Sequence, residues 1–540
     1  MPCCLDQRQV PGASRIFTDY LYAWDRVQGW YGAGLAPYGA ASLAAAARAV
    51  EYPVERRRAV ADAMAHAHDE LPASPARDAM LARFRQPETV AIVSGQQIGL
   101  FGGPLLTIYK ALTAIRLAGQ LTGAGVSAVP VFWLASQDHD LAEINHAWVL
   151  DRDSRPRRVA IGSAGPTGRE PVGQVRLGAP AGAALEAWAA ATGLDAAELR
   201  ECYRPESTFV TAFRALLARW FEPWGLLFLD PLESALAPLA ATPLRAAVER
   251  APQLAAALLE RSRQLVAAGY HAQVEVEDGA ALLFGERDGA RIAARRDGAA
   301  WRWGEEKLTV AELLRRLEHE PQRFSPAALL RPLVQDELLP TAAQVCGPAE
   351  IAYLAQSAVL YRELGRRQPL AFPRVSATLL DARARRSLDK YGLTLPEIWS
   401  QPPSPDPAAS LAAKLARQTL PPGLEQALAN MRGGWESQFQ ALSGQIAALD
   451  PTLVDFVATA GGKMRHQLEQ IENRLSRALA RRRDDWNRHA QHLVGSLFPE
   501  RHLQERLVNG AEWVARAPDL LQRLHDLIAP QCPDHQVIDV

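Results

Sequence analysis

TVAIVSGQQIGLFGGPLLTIYKALTAIRLAGQLTGAGVSAVPVFWLASQDHDLAEINH, residues 89–146, contains two apolar runs separated by an amphipathic stretch. The runs at residues 90–93 and 129–134 are short and rich in β-branched or aromatic residues, which is typical of buried strands. Between them, apolar residues recur at helical spacing after Pro104, whose fixed φ suits the first position of a helix. The segment therefore predicts a strand, a crossover helix and a second strand parallel to the first.

Polar residues follow each of the two predicted strands. The first strand leads into a loop that offers amide side chains and backbone N–H groups from Gln96, Gln97, Gly99 and Gly103. The second strand ends in Asp138, His139 and Asp140. Because parallel strands bring their carboxyl ends to one edge of a sheet, where ligands bind, we expect both clusters to line one crevice. This crevice is the predicted active site, and its predicted catalytic residues are the three that follow the second strand.

Further apolar runs extend this organisation. Residues 225–231, 338–346 and 370–375 predict additional strands, and the Asp-Gly pairs within residues 273–309 indicate antiparallel hairpins. The Pro-rich segment 401–410 indicates a linker, and the apolar spacing beyond it predicts two long antiparallel helices broken at Asp450 and Pro451. We expect an α/β protein with a catalytic core at residues 1–400, insertions near residues 151–200 and 265–325, a coiled-coil arm at residues 401–498, and a segment at residues 499–540 that packs back on the core.

The composition argues against several classes of protein. The 540 residues are 48% hydrophobic, which is ordinary for a globular chain, and 59 Lys plus Arg against 60 Asp plus Glu give a net charge of −1. No overall positive field favours nucleic acid or an anionic membrane, and neither is an expected partner. The five cysteines form no CxxC pair, and no segment has the pattern of an export signal or a membrane span. We expect a cytoplasmic protein.

Several long motifs together resemble one protein family. They are GQQIGLFGGPLLTIYKA at residues 95–111, VPVFWLASQDHDLAEINH at residues 129–146, LLRPLVQDELLPTAAQVCGPAEIAYLAQ at residues 329–356, PLAFPRVSATLLD at residues 369–381 and FPERHLQERLVN at residues 498–509. Over nearly its whole length, the chain resembles the bacillithiol biosynthesis cysteine-adding enzymes. The resemblance implies a Rossmann-like core similar to that of class I aminoacyl-tRNA synthetases, a coiled-coil arm, and the joining of cysteine to glucosaminyl-malate.

The two signature motifs of class I synthetases are absent from the sequence. Where such an enzyme has HIGH after its first strand, this chain has GGPLLTIYK without a histidine. No KMSKS-like loop occurs, and GGKMRH at residues 461–466 falls in the predicted arm. Adenylate chemistry of the synthetase kind is therefore not predicted from these residues.

The segment after the second strand supports more than one interpretation. His139, Glu143 and His146 are spaced by four and three residues, so they would share one face if a helix follows. With Asn145, Glu143 and His146 are candidates for substrate binding, and His139 between two acids is a candidate general base. A metal site is an alternative because His and carboxylate are suitable ligands, although we expect no tightly bound metal. In a purely structural role, Asp would cap a helix and His would be hydrogen-bonded.

Two later clusters are candidates for binding anions. Arg331, Gln335, Gly347 and Glu350 surround a predicted turn and could bind the acceptor substrate, although a structural Arg–carboxylate pair and a helix-dipole contact are alternatives. Gln504, Arg506 and Asn509 could bind a nucleotide or simply tie the C-terminal segment to the core. The glycines after the first strand are equally suited to a tight turn. Cys346 has no evident base beside it in sequence, so we expect a small buried residue rather than a nucleophile.

The resulting hypothesis is an amide-forming ligase that joins the carboxyl of cysteine to the amine of glucosaminyl-malate. Because amide formation from ionised partners is uphill in water, we expect ATP to activate the carboxyl, with Mg²⁺ as a candidate counter-ion. His139 with Asp138 and Asp140 would deprotonate and orient the amine, Gln96 and Gln97 would bind the activated carboxyl, and Arg331 would bind the acceptor's carboxylates. The alternatives are a nucleotide-dependent transferase or ligase for another amino acid or amino sugar, and a non-catalytic coiled-coil scaffold. We expect a homodimer that associates through the arm.

Overall fold

The computed structural model describes residues 3–39, 41–162, 168–277, 279, 282–417, 422–480 and 484–540. The strands in this part of the chain are β1 Cys3–Leu5, β2 Val90–Gln96, β3 Ala128–Leu134, β4 His146–Leu150, β5 Pro156–Ala160, β6 Leu227–Leu229, β7 Leu283–Arg287, β8 Ala290–Asp297, β9 Ala300–Trp303, β10 Glu306–Leu308, β11 Phe324–Pro326, β12 Thr341–Cys346, β13 Leu370–Pro373, β14 Ala377–Leu380 and β15 His535–Asp539.

The α-helices are α1 Arg15–Tyr22, α2 Trp24–Val27, α3 Ser42–Arg48, α4 Val54–His68, α5 Pro75–Phe84, α6 Leu106–Gly123, α7 Leu141–Ile144, α8 Pro180–Thr192, α9 Ala197–Cys202, α10 Phe209–Trp220, α11 Ala237–Glu249, α12 Ala251–Ala267, α13 Val310–His319, α14 Arg331–Leu338, α15 Pro348–Glu363, α16 Ala382–Tyr391, α17 Leu395–Trp399, α18 Pro407–Arg417, α19 Pro422–Leu449, α20 Val454–Ala480, α21 Asp484–Leu497, α22 Gln504–Leu507, α23 Gly510–Arg516 and α24 Leu520–Leu527. Short 3₁₀ helices occur at Gln7–Gln9, Gln28–Trp30, Leu100–Gly102, Val172–Gln174, Glu222–Trp224, Ser234–Leu236, Pro321–Arg323, Pro451–Leu453 and Pro499–Arg501.

The central sheet has five parallel strands in the order β13-β12-β2-β3-β6. The register between its two middle strands runs from Val90 opposite Ala128 to Gln96 opposite Leu134. Because β3 lies on one side of β2 and β12 on the other, the strand order reverses beside β2. In a sheet of this kind, the crevice at such a reversal is the usual ligand site.

Helices cover both faces of this sheet, and alternate residues of each strand point to opposite faces. Val90 and Ile92 pack with α3 and α6 on one face, whereas Ala91 and Val93 pack with α4, α11 and α14 on the other. The predicted strand, helix, strand unit and its apolar strands are therefore confirmed as part of a Rossmann-like α/β core.

Two boundaries in the predicted unit were wrong. β2 continues through Ser94 and Gly95, so Gln96 ends the strand and does not belong to the loop. Helix α6 begins at Leu106 rather than at Pro104, because Pro104 forms an isolated β-bridge with Asn509 and the Leu105 N–H donates to the carbonyl of Val508. Pro104 and Leu105, which were expected to form the first turn of the helix, therefore pair with the C-terminal segment instead.

The hairpins predicted within residues 273–309 are present in the described residues. β7, β8, β9 and β10 pair in sequence as antiparallel neighbours, and β11 pairs with β7. Asp288 and Gly289, both with positive φ, form the turn between β7 and β8. The first Asp-Gly pair includes residue 278, which lies outside the described residues, as do residues 163–167 of the first expected insertion.

The chain divides into two compact units. The first comprises Met1–Val149, Arg157–Leu379 and Leu503–Val540, and the second comprises Leu150–Pro156 and Leu380–His502. The second unit therefore includes α16 and α17, which precede residue 401 in the sequence, where the arm was expected to begin. None of the helices among the described residues combines the length and the apolar character needed to cross a membrane.

Within the second unit, α19 and α20 form the predicted helical hairpin. The break falls at Asp450, whose carboxylate accepts the Thr452 N–H at 2.9 Å, and a 3₁₀ turn follows. The segment predicted as a linker is only partly extended, because α18 begins at Pro407 and packs against α20 and α21. Leu411 and Leu415 of this helix are buried, so its apolar stripe explains why it folds.

Candidate active site

A cavity of about 580 Å³ lies at the carboxyl ends of β2, β3 and β12 in the first unit. This volume is typical of a small-molecule site. Of the residues predicted to form the site, Gln96, Gln97, Asp138, His139, Glu143, Arg331, Gln335, Gly347, Glu350 and Arg506 line the cavity. The structure therefore brings these residues together around one cavity at this edge of the sheet.

One part of the cavity, the acidic end, consists of Gln97, Asp138, His139 and Glu143. The Gln97 amide nitrogen donates to Asp138 Oδ2 at 2.7 Å and approaches Glu143 Oε2 at 3.4 Å. The backbone N–H of His139 donates to Asp138 Oδ1 at 2.7 Å. One amide side chain thus holds two carboxylates side by side, as a site for an ammonium group requires.

The two carboxylates of the acidic end differ in their pKa values. Burial alone would raise the pKa of Asp138, but the hydrogen bonds from Gln97 and from the His139 backbone, together with the charge of Arg291, outweigh it, so the pKa is lowered. Partial burial and the negative charges of Asp138 and Asp140 raise the pKa of Glu143. Asp138 is therefore suited to remain ionised, whereas Glu143 is suited to accept a proton.

An arginine from the antiparallel sheet of β7 to β11, the hairpin sheet, completes the acidic end. Arg291 of β8 is only 9% exposed, and its Nη1 lies 3.0 Å from His139 Nδ1 and 3.8 Å from Asp138 Oδ1. Its Nε donates to Ser325 Oγ at 2.9 Å, its Nη2 donates to the Pro326 carbonyl at 3.0 Å, and its guanidinium lies 3.8 Å from the centroid of the Phe284 ring. Burial and the charge of Arg291 lower the pKa of His139.

The other part of the cavity, the basic end, consists of Lys110, Arg331, Arg374 and Arg506. Lys110 projects from α6, is 4% exposed, donates to the Gly95 carbonyl at 2.7 Å and forms an ion pair with Glu350. Glu350 also accepts the Gly347 N–H at 2.7 Å, which caps α15. The N-terminus of this 16-residue helix therefore faces the cavity with Gly347, Pro348 and Ala349, where its dipole favours an anion.

Arg374 follows β13 and forms the most deeply buried ion pair of the basic end. Its Nη1 and Nη2 donate to the two carboxylate oxygens of Glu505 at 3.0 and 2.7 Å, and the two side chains are 4% and 2% exposed. Glu505 also accepts hydrogen bonds from Ser376 Oγ and the Ala377 N–H. This pair fixes the C-terminal segment beside the cavity and places the neighbouring Arg506 in the cavity wall.

The other two arginines of the basic end are positioned without a carboxylate. Arg331 donates to Gln335 Oε1 at 3.0 Å and to the Tyr353 hydroxyl at 2.6 Å, both neutral groups. In the part of the chain that the structure describes, neither Arg331 nor Arg506 has an ion-pair partner. Partial burial and the nearby charge of Arg374 lower the pKa of Arg506. Two cations in one wall thus form no ion pair with the described protein, although Glu350 lies near enough to Arg331, and Glu505 to Arg506, to favour the charged form.

Some predicted site residues do not line the cavity. Asp140 instead caps α7 by accepting the Glu143 N–H at 3.2 Å, and His146 begins β4, with its Nδ1 3.0 Å from the Ala142 carbonyl. Helix α7 lasts a single turn because β4 starts at once, so the shared helical face expected for His139, Glu143 and His146 does not form. Asn145 lies at this junction and accepts the Ile161 N–H through its carbonyl.

The glycines after β2 form a tight turn. Gly103 has φ +71°, and a Cβ on Gly99 would lie 3.0 Å from the Gly103 Cα. The Asn509 amide donates to the carbonyls of Leu100, Phe101 and Gly103 at 2.9–3.2 Å. The tight turn therefore explains both glycines, and neither of them lines the cavity.

Only one of the three predicted nucleotide-binding residues faces the cavity. Gln504 is buried and pairs with the backbone N–H and carbonyl of Leu379, at 2.8 and 3.0 Å. Asn509 is engaged by the turn after β2. These two residues tie the C-terminal segment to the core, which leaves Arg506 as the member of the set that could contact a ligand.

Sequence reasoning missed Lys110, Arg291 and Arg374. Lys110 interrupts an otherwise apolar helix face, which is itself a signal. Arg374 stands at the end of a predicted strand, so the rule that selected Asp138 would also have selected it. Arg291 carried no such signal, because its position depends on how the hairpin sheet packs. Within the described residues, no group of three or more His, Cys, Asp or Glu side chains is arranged to hold a metal ion.

Comparison with known proteins assigns the family. Residues 4–375 match the model of the bacillithiol biosynthesis BshC N-terminal Rossmann-like domain, and residues 377–540 match that of the BshC C-terminal coiled-coil domain. The chain belongs to the BshC family of bacillithiol biosynthesis. The resemblance of its motifs to the cysteine-adding enzymes and the predicted fold class are thereby confirmed.

Named relatives within the BshC family align along almost the full chain. "Putative cysteine ligase BshC" of Solibacter usitatus is 40% identical over 541 residues, which is 99% of each chain. The protein of the same name from Koribacter versatilis is 40% identical over 544 residues, covering 100% of each chain. The Salinibacter ruber relative is 30% identical and covers 97% of this chain and 96% of its own. The ligase class in bacillithiol biosynthesis agrees with these names.

Proposed function

We propose that this protein joins the carboxyl of L-cysteine to the amine of glucosaminyl-malate as the final step of bacillithiol biosynthesis. The observation that carries the proposal is the pairing, in one cavity, of an acidic end with two arginines that lack a carboxylate partner in the described chain. Glucosaminyl-malate has the complementary chemistry, since one amine and the two carboxylates of its malate moiety belong to one molecule.

At the acidic end, the acceptor's ammonium group binds between Asp138 and Glu143. Asp138 stays ionised and orients the nitrogen, because hydrogen bonds lower its pKa. Glu143 takes the proton that the nitrogen must lose before attack, because its raised pKa brings it closer to that of an amine. Gln97 holds the two carboxylates in place, and Gln96 at the end of β2 remains the candidate contact for the cysteine carboxyl.

At the basic end, Arg331 and Arg506 bind the carboxylates of the malate moiety. A guanidinium group matches a carboxylate in geometry and charge, and such charge-assisted hydrogen bonds are stronger than neutral ones. Gln335 and Tyr353 fix the orientation of Arg331 from its other side. The N-terminus of α15 adds backbone N–H groups to the same wall.

The basic end also fits a nucleotide phosphate, because unpaired guanidinium groups and a helix N-terminus suit any anion. The backbone N–H groups at the start of α15 would hold it, while Arg331 and Arg506 remain with the malate carboxylates. ATP, when bound, would supply the leaving group that activates the cysteine carboxyl, with Mg²⁺ as a counter-ion for its phosphates. The side chains of the cavity would bind and orient the substrates and accept the proton from the amine.

The decisive experiment is mass spectrometry of the purified full chain with cysteine, glucosaminyl-malate, ATP and Mg²⁺. A cysteinyl conjugate that forms only with ATP supports the ligase, and release of ADP or AMP distinguishes a phosphoryl from an adenylyl route. Conjugates with other amino acids or amino sugars would favour a different transferase or ligase. No conjugate from folded protein, together with unimpaired thiol production in cells carrying His139→Ala, would favour the scaffold alternative.

We further propose that the protein acts in the cytoplasm as a homodimer joined through its helical hairpin. Among the described residues of α19 and α20, Met431, Leu442 and Met464 are about half exposed, and Phe456 is 71% exposed. Exposed apolar side chains of this size are typical of an interface. Light scattering should give twice the chain mass of 58.9 kDa, and Phe456→Ser should weaken the association.

A further inference from the structure

The hydrogen bond between Arg291 and His139 restricts where the imidazole can carry its proton. A guanidinium group only donates hydrogen bonds, and at 3.0 Å its Nη1 is within bonding distance of His139 Nδ1. His139 Nδ1 must then accept with its lone pair. In a neutral imidazole, the single proton is consequently on Nε2.

We propose that Arg291 is a positioning residue that keeps His139 neutral with its proton on Nε2, so that His139 serves the reaction as a hydrogen-bond donor and not as a base. The assignment of Arg291 rests on the structure alone, whereas the role of His139 in the reaction rests on the proposed ligase function. His139 lines the cavity, and the hydrogen bond of its ring within the described chain is made through Nδ1. The Nε2–H group is therefore available to a substrate oxygen.

Arg291 itself has little freedom to give up this contact. Its Nε and Nη2 are engaged by Ser325 and Pro326 of β11, and the ring of Phe284 from β7 packs against its guanidinium plane. Two strands, β7 and β11, thus fix the orientation of one arginine on β8. With only 9% of the side chain exposed, water cannot readily replace the contact to His139.

The opposite tautomer, with the proton on Nδ1, would bring two donors face to face. Asp138 Oδ1 lies 3.5 Å from Nδ1, too far for a strong hydrogen bond while Arg291 holds the ring in place, and it also accepts the His139 backbone N–H at 2.7 Å. The lost hydrogen bond would disfavour that tautomer by about 5- to 150-fold. A base that acts through Nε2 needs this disfavoured tautomer.

The charges around His139 also oppose its protonation. Asp138 and Asp140 on its own segment favour the imidazolium, whereas burial, Arg291 from β8 and Arg169, which lies shortly before the 3₁₀ helix Val172–Gln174, oppose it. The balance lowers the pKa of His139, which favours the neutral ring. Replacing Arg291 by a neutral residue should therefore raise this pKa and allow Nδ1–H to form a hydrogen bond with Asp138.

A neutral Nε2–H donor has a clear task in amide formation. After the ammonium group has lost one proton to Glu143, the amine nitrogen attacks the activated carboxyl, the C–N bond forms and the carbonyl oxygen takes up negative charge. Collapse of this intermediate re-forms the carbonyl and breaks the bond to the leaving group, which departs with its electron pair and takes the second proton of the nitrogen. His139 gains and loses no proton in these steps but stabilises the oxyanion through Nε2–H.

The tautomer can be measured without substrate, by ¹⁵N NMR of the full chain labelled at histidine. Comparison with His139→Gln assigns the signals, since the chain has 12 histidines. We expect a lone-pair nitrogen at Nδ1 and a protonated nitrogen at Nε2 in the wild type. Arg291→Lys, which keeps charge and donor, should preserve this pattern, and Arg291→Met should shift the proton to Nδ1 and raise the pKa. A wild-type ring protonated at Nδ1 would overturn the proposal, whether or not the ligase is confirmed.

Kinetics then test what the donor does. A glutamine amide can donate a hydrogen bond but cannot act as a base, so His139→Gln should retain most of kcat, whereas His139→Ala should lower kcat by about 100- to 1000-fold with little change in KM. Equal loss of kcat in both variants would assign a base role and contradict the proposal. Circular dichroism identifies any variant that fails to fold, and the wild-type NMR result does not depend on the variants.

Discussion

The acidic and basic ends of the cavity are stabilised in different ways. At the acidic end, the carboxylates follow the same strand. Hydrogen bonds from Gln97 and the His139 backbone stabilise the negative charge of Asp138, which is 36% exposed. At the basic end, Arg374 pairs with Glu505 from a segment 131 residues away, and both side chains are almost fully buried. The comparison teaches that the segment after one strand supplies the carboxylates of the acidic end, whereas the basic end depends on an ion pair between segments that are far apart in the sequence.

The largest effect should come from breaking the buried pair of the basic end. Glu505→Gln leaves Arg374 buried without its counter-charge, which should lower the free energy of unfolding by about 3–5 kcal/mol. Urea unfolding of the full chain measures this loss. Arg245→Gln is the control, because its ion pair with Glu249 is about half exposed, and it should cost less than about 1 kcal/mol. Similar losses in both variants would mean that the basic end does not depend on this pair.

The second prediction separates ligand binding from stability within the basic end. Arg506→Gln should raise KM for glucosaminyl-malate by about 10- to 100-fold, the loss expected for a charge-assisted hydrogen bond. It should leave the unfolding transition nearly unchanged, because Arg506 has no ion-pair partner in the described chain. Steady-state kinetics over a range of acceptor concentrations gives KM, with Arg245→Gln again as the control. A loss of stability without a change in KM would show that Arg506 has a structural role.

The third prediction uses pH to distinguish the two ends. His535 lies behind the basic end, between the hydroxyls of Ser376 and Thr378, and burial lowers its pKa from 6.5 to about 4. Since the unfolded chain binds this proton first, the free energy of unfolding should fall by about 1.4 kcal/mol per pH unit as the pH drops through this window. The contribution of Asp138 at the acidic end, whose pKa is below 3.8, should persist until the pH falls further.

Urea unfolding of the wild type and His535→Gln at several pH values between 6.5 and 4 tests this assignment, because the window comes from the His535 shift. His68, whose pKa burial also lowers, contributes equally to both proteins and cancels in the difference. The variant should show a shallower dependence on pH. Parallel curves for the two proteins would exclude His535 as the acid-sensitive group of the basic end.

The same contrast explains how far the sequence could predict the site. Gln97, Asp138 and His139 were predictable because apolar strands and the polar residues after them are adjacent in sequence, and parallel strands share one edge. Asp140 and His146 were misplaced because α7 ends after one turn, a consequence of β4 pairing with β5. Arg291 could not be found, since no local pattern tells which residue of a hairpin sheet packs against another segment.

The smallest effect is expected at Cys346, which ends β12 next to the basic end but does not line the cavity. The thiol is fully buried and lies 3.2 Å from the Gln344 carbonyl, and burial raises its pKa well above 9.0. A nucleophile would need the thiolate, which this environment opposes. Cys346→Ala should therefore leave kcat/KM unchanged and lower the free energy of unfolding by only about 1 kcal/mol, as removal of a small buried group does. Complete loss of activity in the folded variant would instead mean that Cys346 takes part in the reaction. The acidic and basic ends would then not account for the chemistry by themselves.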